Sequence, residues 1–396
     1  MAHIRNIVRW GVVAVAVLHG LIHLLGASKG FGWSEVSALQ KPIGTVTGIV
    51  WLAAAILMIA TGLLLATSAW RWWLVGAVAV VVSQAAIVTS WSDAKVGTVA
   101  NVLLLAAVVY GAAAHGPTSF DAEYKRRVSV ALVPVVAETV VTEDDLASLP
   151  GPIAAYVRQS GAIGQPHVAN FRATIFGRIR SSPTKAWMTF TGEQVNTFGP
   201  NPSRSFHMDA TMAGLPVDVL HIYANAEAAM LVKLFSLFPM VNANGPEMDR
   251  AETVTVFNDL VVLAPGAIIS APIVWTIVDE RHVNGTYTNG TQAVTGELTF
   301  NEQHELVNFI SNDRNAASSD GKTFTPQAWS TPISSYRTSH GHRFPAVAEA
   351  RWHAPPPIGE FVYIEFKLRD LEYNVDTSSG VPNRVSGDAS RQQTAS

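Results

Sequence analysis

The chain has 396 residues, 27 of them Lys or Arg and 30 Asp or Glu, for a formal net charge of −3. That balance lacks the clustered basic surface nucleic-acid binding requires, so no nucleic-acid partner is expected. The absence of cysteine excludes a disulfide framework, a thiol nucleophile and a Cys-ligated metal site. Charge is also unevenly spread: only Arg5, Arg9, Lys29, Glu35, Lys41, Arg71, Asp93 and Lys95 precede Gly116.

That first part contains four apolar stretches, Trp10–Ala27, Gly44–Ala66, Trp72–Thr89 and Gly97–Ala114. Each is close to the roughly 20 residues a helix needs to cross the hydrocarbon core. Several tryptophans, among them Trp10, Trp70, Trp72 and Trp91, sit near their ends, where amphipathic rings settle at headgroup level. With the N-terminus inside, Arg5, Arg9, Arg71, Lys125, Arg126 and Arg127 fall on the inner side and Lys29, Lys41 and Lys95 on the outer. The bias predicts a multi-pass protein of a bacterial inner membrane with its C-terminal domain in the cytoplasm. Reading the first span as a cleaved signal peptide leaves that side unchanged. His19 and His23 lie four apart on one helix face. They are weak candidates for a metal or haem or for a proton path, against a structural role in hydrogen bonding to neighbouring helices, with Gly20 and Gly26 allowing close approach. No metal and no cofactor is expected.

Phe120 to Leu149 reads as a connector, with Thr142 as N-cap of a helix whose first turn is acidic. Pro152–Arg158 reads as a short helix ended by Gly161. From Val168 the period becomes two: Phe171, Ala173, Ile175, Gly177 and Ile179 share one face, with Arg172, Arg178 and Arg180 opposite. Similar runs are Lys185–Phe198, Arg204–Met212, Val217–Ala224, Ile273–Glu280, Ala293–Phe300, Leu306–Asp313, Ile333–His340, Phe344–His353 and Phe361–Tyr373. Asn284-Gly285 and Asn289-Gly290 read as hairpin turns. Between Ala226 and Ala271 the spacing turns helical, over Glu227–Phe238 and Met248–Leu263, with Pro246 near the first turn of the second helix. The expected fold is α+β, a four-helix transmembrane bundle (1–116), a connector (117–165) and a curved antiparallel half-barrel (166–376) with a helical insert at about 226–271. The tail, 377–396, reads as disordered.

The densest polar signal is the segment Gly245–Asp259. On a helix Glu252 and Asp259, seven apart, share a face, with Thr255 between them and Asn258 close by. Facing an apolar cavity, such carboxylates are candidates for general acid/base work; on an ordinary amphipathic helix they simply face solvent, with Val254, Phe257 and Val261 inward. A strand puts Trp187, Thr189, Thr191 and Glu193 on one face, and a third group holds Asp313, Arg314, Trp329, Tyr336 and Arg337. From these, Trp187, Glu193, Glu247, Asn258, Asp313, Arg314, Trp329 and Tyr336 are the candidate ligand-binding residues. Asp313-Arg314 also reads as a structural ion pair. His340-Gly-His342 lacks the companions of a metal site. No phosphate loop, nucleophile elbow or H-E-x-x-H is present.

The blocks Leu149-Pro-Gly-Pro152, Trp187-x-x-Phe190-Thr-x-Glu193-Gln, Gly245-Pro-Glu and Glu252-Thr-Val-Thr-x-Phe-Asn-Asp259 resemble an uncharacterised bacterial domain family. Ser311-x-Asp313-Arg314, Trp329-x-Thr331-Pro332 and Tyr336 fit it too, as do His19-Gly-x-Ile-His23 and Trp91-Ser-Asp-Ala-Lys-x-Gly97. The resemblance covers about residues 10–375 and implies no activity. The layout is also similar to LolA-like half-barrels, which hold acyl chains between sheet and helices. The leading expectation is a membrane-anchored module binding a lipid or other hydrophobic small molecule, with the bilayer as its other partner. The alternatives are a membrane-bound enzyme using Glu252 or Asp259, and a structural or assembly protein.

Overall fold

The computed structural model describes residues 2–132 and 139–376. Residues up to Ala122 form one compact unit and most of the chain from Glu123 onward a second. The first holds α1 (Ala2–Gly30), α2 (Thr45–Ala66), α3 (Trp72–Thr89), the single turn α4 (Trp91–Ala94) and α5 (Gly97–His115). Four helical stretches are long and apolar enough to cross a membrane. Their outward faces carry large aliphatics such as Leu18, Val46, Leu63, Val81 and Val99, an arrangement that suits lipid and not water. Gly26 lies against the Trp51 ring, the close helix approach its spacing predicts.

After α6 (Phe120–Ala131) come α7 (Glu143–Leu146) and α8 (Gly151–Gln159). Thr142 caps α7 as expected, in a capping box with Asp145. The first strands form a meander: β1 (Asn170–Ile179), β2 (Met188–Thr197), β3 (Ser203–Met212), β4 (Leu215–Ala224), β5 (Glu227–Leu234) and β6 (Phe238–Asn244). Then come α9 (Pro246–Leu263), a 3₁₀ turn at Pro265–Ser270, and β7 (Ile273–Ile277), β8 (His282–Asn289), β9 (Gln292–Phe300) and β10 (Leu306–Ser311). Last are β11 (Asn315–Ala317), β12 (Phe324–Pro326), β13 (Ala328–Ser330), β14 (Ile333–Ser339), β15 (His342–His353) and β16 (Glu360–Tyr373). All but β11 and β12 join one antiparallel sheet, in the order β6-β5-β4-β3-β2-β1-β16-β15-β13-β10-β9-β8-β7 with β14 beside β15.

The sheet curls around α9 without closing. Asn289 of β8 donates a hydrogen bond to the Tyr223 hydroxyl of β4 at 2.7 Å, although eight strands separate the two in the sheet order. Strands distant in the sheet thus meet over the helix. The expected strand faces hold: Phe171, Ala173 and Ile175 are buried, while Arg172 and Arg178 pair with Glu372 and Glu365 on the outside.

Three expectations need correction. Glu227–Phe238 is not helical; it is β5 and the start of β6. Its Ala, Met, Leu and Lys favour a helix, but Asn225 and Ala226, both at positive φ, make a two-residue turn that returns the chain along β4 in register. Pairing to an existing sheet overrides propensity. The helical insert therefore shrinks to residues 246–270. Asn284-Gly285 is not a turn but lies within β8, where Gly285 faces Gly296 of β9; Asn289-Gly290 does turn the chain. Lastly, α9 has no solvent face, since 14 of its 18 residues are buried. The expected tail, 377–396, lies outside the described residues.

Candidate functional site

Because the sheet wraps α9, the polar residues of the helix must find partners inside. Asp259 Oδ2 accepts from Arg204 Nε at 2.8 Å, Gln194 Nε2 at 2.7 Å and Asn196 Nδ2 at 3.1 Å. Two turns earlier, Glu252 lies 3.3 Å from Arg204 Nη1 through Oε2 and 3.4 Å from Arg314 Nη2 through Oε1. His221 of β4 stands 3.6 Å away. Arg314 also donates to the Ala251 carbonyl and the Thr255 hydroxyl. Its guanidinium lies over the rings of Trp329 and Trp352, 4.5 and 5.6 Å from their centroids. Arg204 thus bridges both carboxylates, and α9 is tied to β2, β3 and β4 on one side and to the segment after β10 on the other.

Glu252 is 1 % exposed. Burial alone would push its carboxyl up, but His221, Arg204 and Arg314 outweigh it and hold the group well below the usual carboxylate range. Asp259 goes the other way: burial raises it, and Arg204 and Asn196 offset this only in part, with Glu252 adding repulsion. A carboxylate fixed as an anion between two guanidiniums makes a poor proton carrier. It makes a strong electrostatic pin, because a buried charge is tolerated only while paired.

Glu252, Asp259, Arg314 and Trp329 are therefore brought into one cluster; Trp329 Nε1 donates to the Tyr363 hydroxyl at 3.0 Å. Asn258 is buried and accepts from Thr331. Asp313 and Arg314 do not pair with each other: Asp313 turns to Arg250 and Thr295, and Arg314 turns inward. Tyr336 lies apart from the cluster and donates to the Leu306 carbonyl. Glu247 is exposed at the start of α9. Trp187 and Glu193 lie on the outer side of the sheet, Trp187 between Arg178 and Arg180 and Glu193 accepting from the Tyr124 hydroxyl at 2.8 Å.

The residues the sequence singles out on β2 lie on its outward face. The inward face carries Phe190, Gly192, Gln194 and Asn196, and the signal was there: a Gln and an Asn in the apolar phase of a strand. Arg204 gives the same signal, being in phase with Phe206, Met208 and Ala210. A polar residue in the buried phase of an alternating strand needs a buried partner, and α9 supplies it.

In the helical unit the two histidines share one hydroxyl. His19 Nε2 and His23 Nε2 lie 3.1 and 2.7 Å from Ser83 Oγ. Ser83 donates to Asn101 Oδ1 at 2.9 Å, and Asn101 donates to Gln84 at 2.9 Å. With its single proton given to Asn101, Ser83 can only accept from the imidazoles, which sets both as Nε2–H tautomers. No group of three metal-ligating side chains occurs among the described residues, and the geometry is that of interhelical hydrogen bonding. Ser83→Ala is expected to cost about 1–2 kcal/mol, since three buried side chains lose their common partner. The check is the thermal midpoint of the detergent-purified protein, which should fall while helicity at about room temperature stays unchanged.

No curated protein matches the sequence. Among solved structures, the chain is similar to a DUF1329 family protein from Desulfovibrio piger, at 14% identity and a TM-score of 0.33, covering 57% of this chain and 92% of that one. It is likewise similar to a LolA superfamily protein from Nitrosomonas europaea, at 12% identity and a TM-score of 0.31, covering 59% and 94%. A family of unknown function, DUF6544, matches residues 139–366, which is more than half of the chain and takes in the whole of α9 with its ion network. The protein belongs to that family.

Proposed function

We propose that the protein is anchored in a bacterial inner membrane and handles a lipid or other hydrophobic small molecule on its β domain, which the positive-inside bias puts on the cytoplasmic side. One observation carries this reading: the sheet stays open, and both end strands present apolar side chains. Phe238 and Met240 of β6, either side of Pro239, and Val274 and Ile277 of β7 are exposed, a larger apolar surface than edge strands ordinarily leave to water. Beside β7 a depression of about 580 Å³ is lined by Gly151, Pro152, Ile277, Asp279, Glu280 and His304. Because α9 fills the concave face, the expected enclosed cavity gives way to binding along this rim. Glu252 and Asp259 then hold the scaffold together.

Native mass spectrometry of the detergent-purified protein, with extraction of whatever is bound, tests the reading. A defined lipid or isoprenoid at near-stoichiometric occupancy is expected, and Ile277→Asp should deplete it. A protein that stays empty after incubation with membrane extract would overturn the proposal.

A further inference from the structure

The register of the meander places several turns on one edge of the sheet. Ile179 pairs with Met188 and Ile364, Met212 with Leu215, and Leu234 with Phe238. The β1–β2, β3–β4, β5–β6 and β15–β16 connections therefore all emerge at the same side. Their tips are apolar and exposed: Met212 and Leu215 on the second, Phe238 (59 %) and Met240 (51 %) on the third, Ile358 (57 %) on the fourth. The first carries Trp187 between two arginines, with Lys185 exposed beside it. The opposite edge of the same meander turns through Pro200, Asn201, Asn225 and Glu227, which are exposed and without large aliphatic or aromatic tips.

Water gives no reason for separate hairpins to carry solvent-exposed Met, Leu, Phe and Ile at one edge. A bilayer surface does: its interface takes apolar tips into the acyl boundary while Trp, Arg and Lys settle among headgroup phosphates. The chain also keeps such a surface close, because residues 116–119 alone separate α5, the last of the apolar helices, from α6. We infer that this hairpin edge is a membrane-docking surface whose occupant is the phospholipid interface, so that the β domain rests on the bilayer tip-first. The inference rests on the membrane-spanning reading of the helical unit, and extends it: a domain seated this way holds its open rim, β6 included, where an apolar molecule can pass from the bilayer without crossing water.

The native chain has no cysteine, so single cysteines can be introduced into the full-length protein without a background. Phe238→Cys and Ile358→Cys report on the edge, Asn225→Cys on the opposite edge, and Val102→Cys on the outward face of α5. Each is labelled with a polarity-sensitive fluorophore and reconstituted in phosphatidylcholine–phosphatidylglycerol nanodiscs with or without nitroxide-labelled lipid. The labels at 238 and 358 are expected to be blue-shifted and quenched several-fold more than the label at 225. If Val102→Cys is quenched while 238 and 358 match 225, the docking surface is overturned and the spanning reading stands. Blue-shifted edge labels that lipid nitroxide does not quench would point to a protein partner and overturn it equally. An unquenched label at 102 would overturn both.

Discussion

Glu252→Gln is expected to destabilise the β domain by about 3–5 kcal/mol, the usual cost of removing one partner from a buried ion pair. The substitution keeps the shape of the side chain and removes its charge. Arg314 is then left, among the described residues, with the Ala251 carbonyl, the Thr255 hydroxyl and two tryptophan faces, all neutral. Asp259→Asn should cost clearly less, because burial already raises that carboxyl toward its neutral form and Arg204 keeps Glu252 as a partner. Denaturant unfolding followed by tryptophan fluorescence distinguishes the two, and equal losses would show that the charge of Glu252 is not what holds α9.

The pH dependence follows from the same cluster. Glu252 is held below its ordinary value of 4.5, so in acid the unfolded chain binds its proton first. Its contribution is fully present above that value and is lost as the pH falls toward the folded value. Asp259, raised above 3.8, acts in the opposite sense: its contribution favours the folded state in acid and fades as the pH rises through the folded value. The gap between wild type and Glu252→Gln should therefore narrow below pH 4.5. A gap that stays constant down to the acid limit of folding would contradict the assignment.

Phe257→Ala is the second substitution with a large expected effect, about 3–5 kcal/mol for a fully buried aromatic. The ring is stacked on Tyr287 at 5.4 Å and meets Phe309 edge-on at 5.3 Å. It fits there because two strands pair glycine with glycine: a Cβ on Gly285 would lie 2.6 Å from the Trp275 ring and 2.8 Å from the Phe257 ring, and one on Gly296 2.3 Å from Phe309 and 3.2 Å from Phe257. Gly285→Ala should accordingly cost about 1–3 kcal/mol by overpacking, and less in a Phe257→Leu background. A double-mutant cycle with no coupling would show that Gly285 is not there for the ring.

Local pattern made much of this molecule legible. Four apolar runs of spanning length, the acid-capped turn at Thr142 and most of the alternating strands are properties of contiguous residues, and a period of two or a run of hydrophobic side chains survives whatever packs against it. The pairing of Glu252 with Asp259 on one helix face is local in the same way. What decided the rest was contact between residues far apart in the chain. Glu227–Leu234 is a strand because β4 was there to pair with, and Gly285 sits mid-strand because the Trp275 and Phe257 rings leave no room for a Cβ. That Gln194 and Asn196 find partners on the inward face of β2 is likewise decided by α9. Arg204 and Arg314 lie 48 and 62 residues from Glu252, and no spacing rule joins them; only the curl of the sheet around α9 does. That curl removed the solvent face an amphipathic reading assigns to the helix, and it surrounds both carboxylates with guanidinium and amide partners.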